Sequence, residues 1–490
     1  MRAAPLLALA LLASGFSARG RAEAFASPGE RTILFFDDEP LYAREHVERR
    51  LGTPKVVGAY HENAGNCAWA YPCVFRLGEH SWRMVYQAGV GQKKRGGGVI
   101  LLADSADGIH WRPHDTTGEI SLNPRMAPHQ IFPYAEGMEL SSALDDPRGP
   151  AGERYKAMTV VGRDGAASLW TSPDLIHWTR TPAVWQPNAP DPPTFAFWNA
   201  ERRCYVLTTR PEDGDRRICL ERTVDWKTFT APELALQAEA EDPALAQIYG
   251  MSVLPYEGYY VGFLWIFHAG DASGVTAPHR YLGGRVDTDL AYSINGRAWQ
   301  RCFHRPLFSN GAPGTPDAGC LEVSSVVRLA DGTLRCYASC STREHGQCPP
   351  EDGYVVTYDL RRDGFVALEA GSERGLVGTR ALYWKGGEAG LNLDAAGGTA
   401  RVRVVTARNL PVPGYGFDDC AALTEDRTDW TPRWGGGRTL NDLAGRMVRI
   451  EVEMQNAKLY ALRGNFVLSR MEEVRLFEKD KTVPVALPGL

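Results

Sequence analysis

The sequence predicts an all-β protein, a five-bladed β-propeller followed by a C-terminal β-sandwich, and three observations carry that expectation. Ser105-Ala-Asp-Gly-Ile-His-Trp111 returns in variant form as Ser172-Pro-Asp-Leu-Ile-His-Trp178, Val224-Asp-Trp-Lys-Thr-Phe229, Ser293-Ile-Asn-Gly-Arg-Ala-Trp299 and Arg362-Asp-Gly-Phe365. A spacing of roughly 50 to 70 residues marks small sheets that cannot bury both faces alone and must stack on their neighbours. Five copies predict five blades. After Gly371 the repeat stops, and Ala400–Val405 and Met447–Glu453 alternate apolar and polar residues between Gly-rich turns, a sandwich pattern.

Composition agrees with this class. At 490 residues the chain exceeds one ordinary core, and its 51 Gly, 32 Pro and 13 Trp suit many short strands joined by turns. The net charge is -5 with no basic run of five, which argues against nucleic acid as a partner. Met1-Arg2, an apolar run through Leu12 and Ala22-Glu-Ala24 read as a signal peptide over residues 1–24, too short to span a bilayer. The expected location is secreted or periplasmic, with no membrane association after cleavage. In that compartment ten cysteines favour disulfides over zinc, since no pair of CxxC motifs is present. Cys204 and Cys219 flank a hairpin tipped by Glu212-Asp-Gly-Asp215 and are expected to pair; Cys67 with Cys73 and Cys340 with Cys348 are further local candidates.

Residues 25–61 form an N-terminal segment with a strand at Thr32–Phe36 and a charged stretch, Tyr42–Leu51, expected to make a helical turn or two. The propeller is assigned to residues 62–371. Its strands begin with Ala70–Phe75 and Trp82–Tyr86 in blade one, Arg154–Val161 in blade two and Cys204–Thr208 in blade three. Blade four carries Gly250–Leu254 and Tyr259–Leu264, and blade five Val323–Val327 and Leu334–Tyr337. Long loops over Asp271–Arg285 and Ser341–Gly353 are placed on a functional face. The sandwich is assigned to residues 372–490.

This arrangement resembles the secreted glycoside hydrolases of the invertase, fructosidase and arabinanase superfamily. In the C-terminal part the resemblance rests on Leu391-Asn-Leu393, Arg401–Val405, the turn Gly414-Tyr-Gly-Phe-Asp-Asp419 and Leu459-Tyr460. It implies a carbohydrate substrate and cleavage of glycosidic bonds by carboxylates. The Trp-Met-Asn-Asp-Pro-Asn-Gly, Arg-Asp-Pro and Glu-Cys motifs of fructosidases are absent, and Asp145-Asp-Pro147 reads as a turn tip. The site is therefore argued from blade geometry.

First strands line the axis of a propeller, so polar residues at their starts converge. The strand starts offer Glu62, Asn63 and Asn66; His129, Gln130 and Glu139; Asp191; Asp242 and Tyr249; and Asp317 and Glu322. Asp191, Glu322 and Glu62 are the candidate catalytic carboxylates, because glycoside cleavage needs one protonated acid and a second carboxylate that attacks or activates water. Asn66, Trp69, His129, Trp198, Arg210, Tyr249 and Asp317 are candidate substrate-binding residues. Trp265 is a further candidate sugar platform, and Arg280 a partner for an anionic group. His268, His279 and His345 are read as loop histidines, with no metal-ligand spacing. No cofactor is required, although the pattern leaves room for a structural calcium on the axis. Two other readings stand beside a hydrolase: a non-catalytic glycan-binding propeller, and a sialidase-like enzyme, whose hairpin box is one residue longer and whose fold has six blades.

Overall fold

The computed structural model describes residues 30–62, 70–89, 98–135, 137–161, 167–184, 193–211, 216–270, 275–277, 280–281, 283–348 and 352–485. Three four-stranded antiparallel sheets form the first blades: Cys73–Gly78, Ser81–Ala88, Val99–Ser105 and Trp111–Pro113; Met138–Asp145, Tyr155–Val161, Ser168–Ser172 and Thr179–Val184; Phe195–Asn199, Cys204–Thr209, Ile218–Thr223 and Glu233–Leu236. Blade four contains Ala246–Tyr256, Tyr259–Ala269, Gly284–Ser293 and Gln300–Arg301. Blade five contains Cys320–Arg328, Leu334–Ser341 and Tyr354–Leu360, and a parallel bridge from Val286 to Cys320 joins it to blade four.

The first strand of each blade lies against that of the next, and the ring closes where Cys320–Arg328 meets Cys73–Gly78. Short polar side chains stitch these inner strands together. Ser142 Oγ donates to the Thr194 carbonyl at 2.6 Å, Ser252 Oγ to the Val323 carbonyl at 2.6 Å, and Val74 N to Ser325 Oγ at 3.1 Å. These bonds satisfy groups that stacking removes from water, and unpaired they would each cost about 1–3 kcal/mol.

The fourth strand of blade five is Lys55–Tyr60, which pairs antiparallel with Tyr354–Leu360. The ring is thus closed by hydrogen bonds between the N-terminal segment and the last blade. That segment is not a separate unit: Arg31–Leu34, Leu41–Glu45 and Val47–Leu51 all belong to the sheet of the second domain. The boundaries drawn at residues 61 and 371 are corrected accordingly, because Val366–Ala370 is also a strand of that second sheet. The expected helical turns over Tyr42–Leu51 are two strands, separated at His46 with φ 50°. Their partners are Gly375–Thr379 and Val366–Ala370, and this pairing overrides the weak helical preference of the charged residues.

The repeated motif turns out to be the turn between third and fourth strands, at the end of the ring opposite the inner-strand starts. In blade one Ser105 Oγ accepts from the amides of Asp107 and Gly108 at 3.2 and 2.9 Å, and Asp107 Oδ1 accepts from those of Ile109 and His110 at 2.8 and 2.9 Å. The same four bonds recur around Ser172 and Asp174, Thr223 and Asp225, and Ser293 and Asn295. The residue after the Asx has positive φ in every case, 73° at Gly108 and 67° at Gly296, but also 73° at Leu175 and 57° at Trp226. Side-chain donors from the preceding blade hold three of these turns: Arg335 on the Asp107 carbonyl, Arg83 on that of Asp174, and Asn199 on that of Asn295. The fifth copy has no hairpin to form, since its fourth strand comes from the N-terminus, and the chain passes there into the sandwich.

The second domain is one ten-stranded sheet folded around a single core that includes Trp384, Leu391, Val402, Trp434 and Leu462. Its long strand Ala381–Asp394 pairs with Arg446–Gln455, Ala457–Ser469 and Asp426–Trp430, with register shifts between Trp384 and Gly390 where it bends. It meets the propeller through buried polar contacts. Asp363, in the fifth repeat, accepts from Tyr256 Oη at 2.8 Å and Asn392 Nδ2 at 2.8 Å and pairs with Arg463. The helix Met471–Asp480 buries Val474 against this domain.

Candidate active site

Glu322 is the third residue of the inner strand of blade five, one turn of the pleat inside its expected place ahead of the strand, and is 0% exposed. Cross-strand partners share a face of a sheet, so the register Glu322–Ser339–Val355–Tyr60 sets these four side chains in one transverse row. That face looks toward blade one: Ser339 Oγ accepts from Ala70 N at 2.9 Å, and Tyr60 Oη lies 3.3 Å from Tyr86 Oη. Leu321 and Val323, one residue to either side, enter the core between blades four and five.

Among the described residues, neither carboxyl oxygen of Glu322 has a hydrogen-bond partner. Burial, reinforced by the Cys348 thiol, pushes its pKa well above the ordinary carboxylic range, against the opposing pull of Arg210 and Arg216. The consequence is a carboxyl that favours its protonated form. Arg210 is buried; its Nε and Nη2 donate to the Tyr249 carbonyl at 3.2 and 2.8 Å, and its guanidinium lies 4.6 Å from the Tyr249 ring. Arg216 donates to Gln247 Oε1 at 3.0 Å and sits over the Phe267 ring at 4.3 Å.

Tyr249 occupies a bulge in the inner strand of blade four, between Ile248 and Gly250, and the extra residue re-aims its ring. Its hydroxyl is 3.1 Å from His345 Nε2. Gly250 is needed beside it: a Cβ there would lie 2.3 Å from Pro193 and 2.9 Å from Trp265.

Glu62 follows the closing strand. Its Oε2 accepts from Tyr86 Oη at 2.7 Å, and its Oε1 is 2.7 Å from His129 Nε2, with both side chains buried. His129 comes from the connection between blades one and two, which is laid against the third strand of blade one by the bond from Leu102 N to its carbonyl at 3.0 Å. Glu62, His129, Tyr60 and Tyr86 form one polar group on the face that Glu322 shares.

Other residues expected at the mouth are elsewhere. Asp317 accepts from Tyr358 Oη and Thr315 Oγ1, both at 2.6 Å, on the side of blade five that faces blade four. Trp198 is near the hairpin end of its strand, under Arg148 at 4.5 Å and against Tyr205 at 4.9 Å, so it is packing between blades two and three and not a platform at the mouth. Trp265 is wholly buried, stacked on Tyr71, and donates to the Val323 carbonyl at 3.0 Å. Asp242 binds Arg301 at 2.6 Å; burial opposes its charge, but Arg301 outweighs burial and holds it at about 2. Asp191, Asn66 and Trp69 lie outside the described residues, as do His279 and the Arg280 side chain. Tyr60, Tyr86, Arg216 and Cys348 carry no local sequence signal for this site; parity along the strand points to Tyr60 and Tyr86, while Arg216 and Cys348 come from connections.

Among the described residues, Glu239, Glu241 and His304 bring ligand atoms within 4.8 Å of one another, but the two glutamates are exposed, beside Asp242. His268 Nε2 lies 2.9 Å from Asp287, which raises its pKa.

The expected pairing of Cys204 with Cys219 does not occur, and both are free thiols. Tyr205 pairs with Thr223 and Thr209 with Cys219, so the two cysteines are displaced by about five residues along the hairpin, roughly 17 Å.

No protein-family model matches the chain, and no curated protein does. Solved structures of similar shape include a glycoside hydrolase at 14% identity, TM-score 0.43, over 64% of this chain and 92% of its own. An N-acetylgalactosamine deacetylase from F. plautii, in complex with blood group B trisaccharide, matches at 16% identity, TM-score 0.42, over 64% and 95%. An exo-beta-1,3-galactanase from Phanerochaete chrysosporium matches at 9% identity, TM-score 0.40, over 85% and 100%. Superpositions this distant transfer neither residue roles nor substrate.

Proposed function

We propose that this chain is an exported glycoside hydrolase in which Glu322 is the general acid. One observation carries the reading: a fully buried carboxyl near the start of an axial strand, with both oxygens unpartnered among the described residues and its pKa raised by burial. Folding leaves such a group without compensation only at a cost, and a proton donor to a glycosidic oxygen is the use that repays it. Exclusion of water keeps the proton in place until the leaving oxygen arrives. Glu62, with each oxygen engaged by a different side chain, suits the complementary role of an acceptor that activates water or steadies positive charge. Asp191 remains the alternative second carboxylate. The substrate is a poly- or oligosaccharide, and Arg210 and Arg216 near the acid favour sugars that carry negative charge. Export rests on the character of residues 1–24.

The test is a panel of polysaccharides and aryl glycosides with product analysis, run on the intact protein and on Glu322→Gln. Loss of kcat by about 10²–10⁴ in a folded variant is expected. Unchanged turnover overturns the assignment of Glu322, and binding without turnover by the intact protein makes it a glycan-binding propeller.

A further inference from the structure

The loop after the second strand of blade five is built onto the start of that blade's inner strand. Asp352 accepts from the amides of Thr342 and Arg343, both at 3.1 Å. Gly319 donates to the Ser341 carbonyl at 2.9 Å, and a Cβ on Gly319 would stand 2.0 Å from the Arg343 carbonyl oxygen. Only glycine permits that approach. The far side of the loop reaches blade four, where His345 N donates to the Gly284 carbonyl at 2.9 Å.

Two thiols meet beneath this loop. Cys348 Sγ is 3.1 Å from the Arg343 carbonyl oxygen and 3.3 Å from Ser341 Oγ, and Cys320 Sγ is 3.9 Å from the same carbonyl. Cys320 pairs directly with Ser341 across the strands, so the two thiols are neighbours around the Ser341 side chain and the Arg343 carbonyl. Cys204 and Cys219, the pair favoured by hairpin reasoning, are by contrast far apart.

We propose that Cys320 and Cys348 form a disulfide that fastens the 342–348 loop, and with it His345, onto the axial strand. The hydrogen bond from Cys320 holds the Cys348 thiol below its ordinary pKa, so Cys348 is the attacking sulfur. Its thiolate attacks the disulfide of a small-molecule oxidant such as oxidised glutathione and expels one glutathione thiolate, leaving a mixed disulfide. Cys320, on losing its proton, attacks the Cys348 sulfur and expels the second. The protein loses two thiol protons and two electrons, and the oxidant becomes two reduced thiols. The proposal does not depend on the chain being a hydrolase.

The test equilibrates the full chain in glutathione buffers of increasing oxidised fraction, quenches in acid, alkylates free thiols and maps peptides without reduction. The expected product links the peptides of Cys320 and Cys348, two hydrogens lighter than their sum. Trypsin cleavage after Arg343 in the folded protein is expected to slow by about tenfold on oxidation, because the loop opens less often. Cys348→Ser abolishes this redox dependence, and Cys336→Ser, which removes a buried thiol of the same blade, preserves it. Alkylation of both Cys320 and Cys348 at the most oxidising ratio overturns the bond. A linked peptide with unchanged cleavage overturns the fastening.

Discussion

Glu62 and His129, from connections on either side of blade one, meet at 2.7 Å inside the protein, and Tyr86 occupies the other oxygen of the carboxylate. Removing one partner strands the other away from water. His129→Ala is therefore expected to destabilise the fold by about 1–3 kcal/mol, and Glu62→Gln by a similar amount. The double variant should cost less than the sum, with a coupling of at least about 0.5 kcal/mol in urea denaturation. Additive losses would show that the pair is not an energetic unit.

Glu322 predicts a pH profile of definite sign. A general acid works only while protonated, so activity is expected to fall as pH rises through its elevated pKa. The Cys348 thiol contributes to that elevation. In protein kept reduced, where Cys348 is a thiol and not part of a disulfide, Cys348→Ser should then move the descending limb of kcat/KM to lower pH, with the maximal rate much less affected. A limb that stays in place would exclude Cys348 as a contributor or Glu322 as the titrating acid.

The same group links stability to pH. Because its folded pKa is raised, the native state binds more protons than the unfolded chain between the two values. The Glu322 contribution is thus fully present below the ordinary carboxylic pKa and is lost as pH rises toward the folded one. Glu322→Gln is neutral at every pH. The variant should gain stability relative to the wild type as pH is raised from 4 to 8, as seen in paired thermal melts at each pH.

Truncation after about Gly371 is expected to give aggregated protein, not a free propeller. It would remove the sheet partners of Arg31–Leu34 and Leu41–Glu45 and leave Asp363 without Arg463 and Asn392. A soluble, monomeric fragment with native near-ultraviolet dichroism would contradict this.

Four of the repeats were legible because their chemistry is local: Ser105 and Asp107 satisfy amides two and three residues away, and the same spacing returns at Ser172, Thr223 and Ser293. The placement of Glu322 was legible for a related reason, since a residue near the start of an inner strand lies near the axis. Asp317 met the same criterion and failed it, because the turn before the strand points it toward Tyr358, on the face away from Glu322.

What the sequence by itself determined is the set of blades and the turns between them, which depend on contacts within a few residues. Only the tertiary structure decided that Lys55–Tyr60 closes the ring by pairing with residues about 300 positions away, and that Arg31–Leu51 belongs to the sandwich. It alone brought Glu62 to His129 and set Cys320 and Cys348 around the same Arg343 carbonyl. A strand's alternation names its two faces, but not which strand lies beside it or which face meets the site. That choice is made by stacking and ring closure, where the free energy is shared among residues that no local pattern connects.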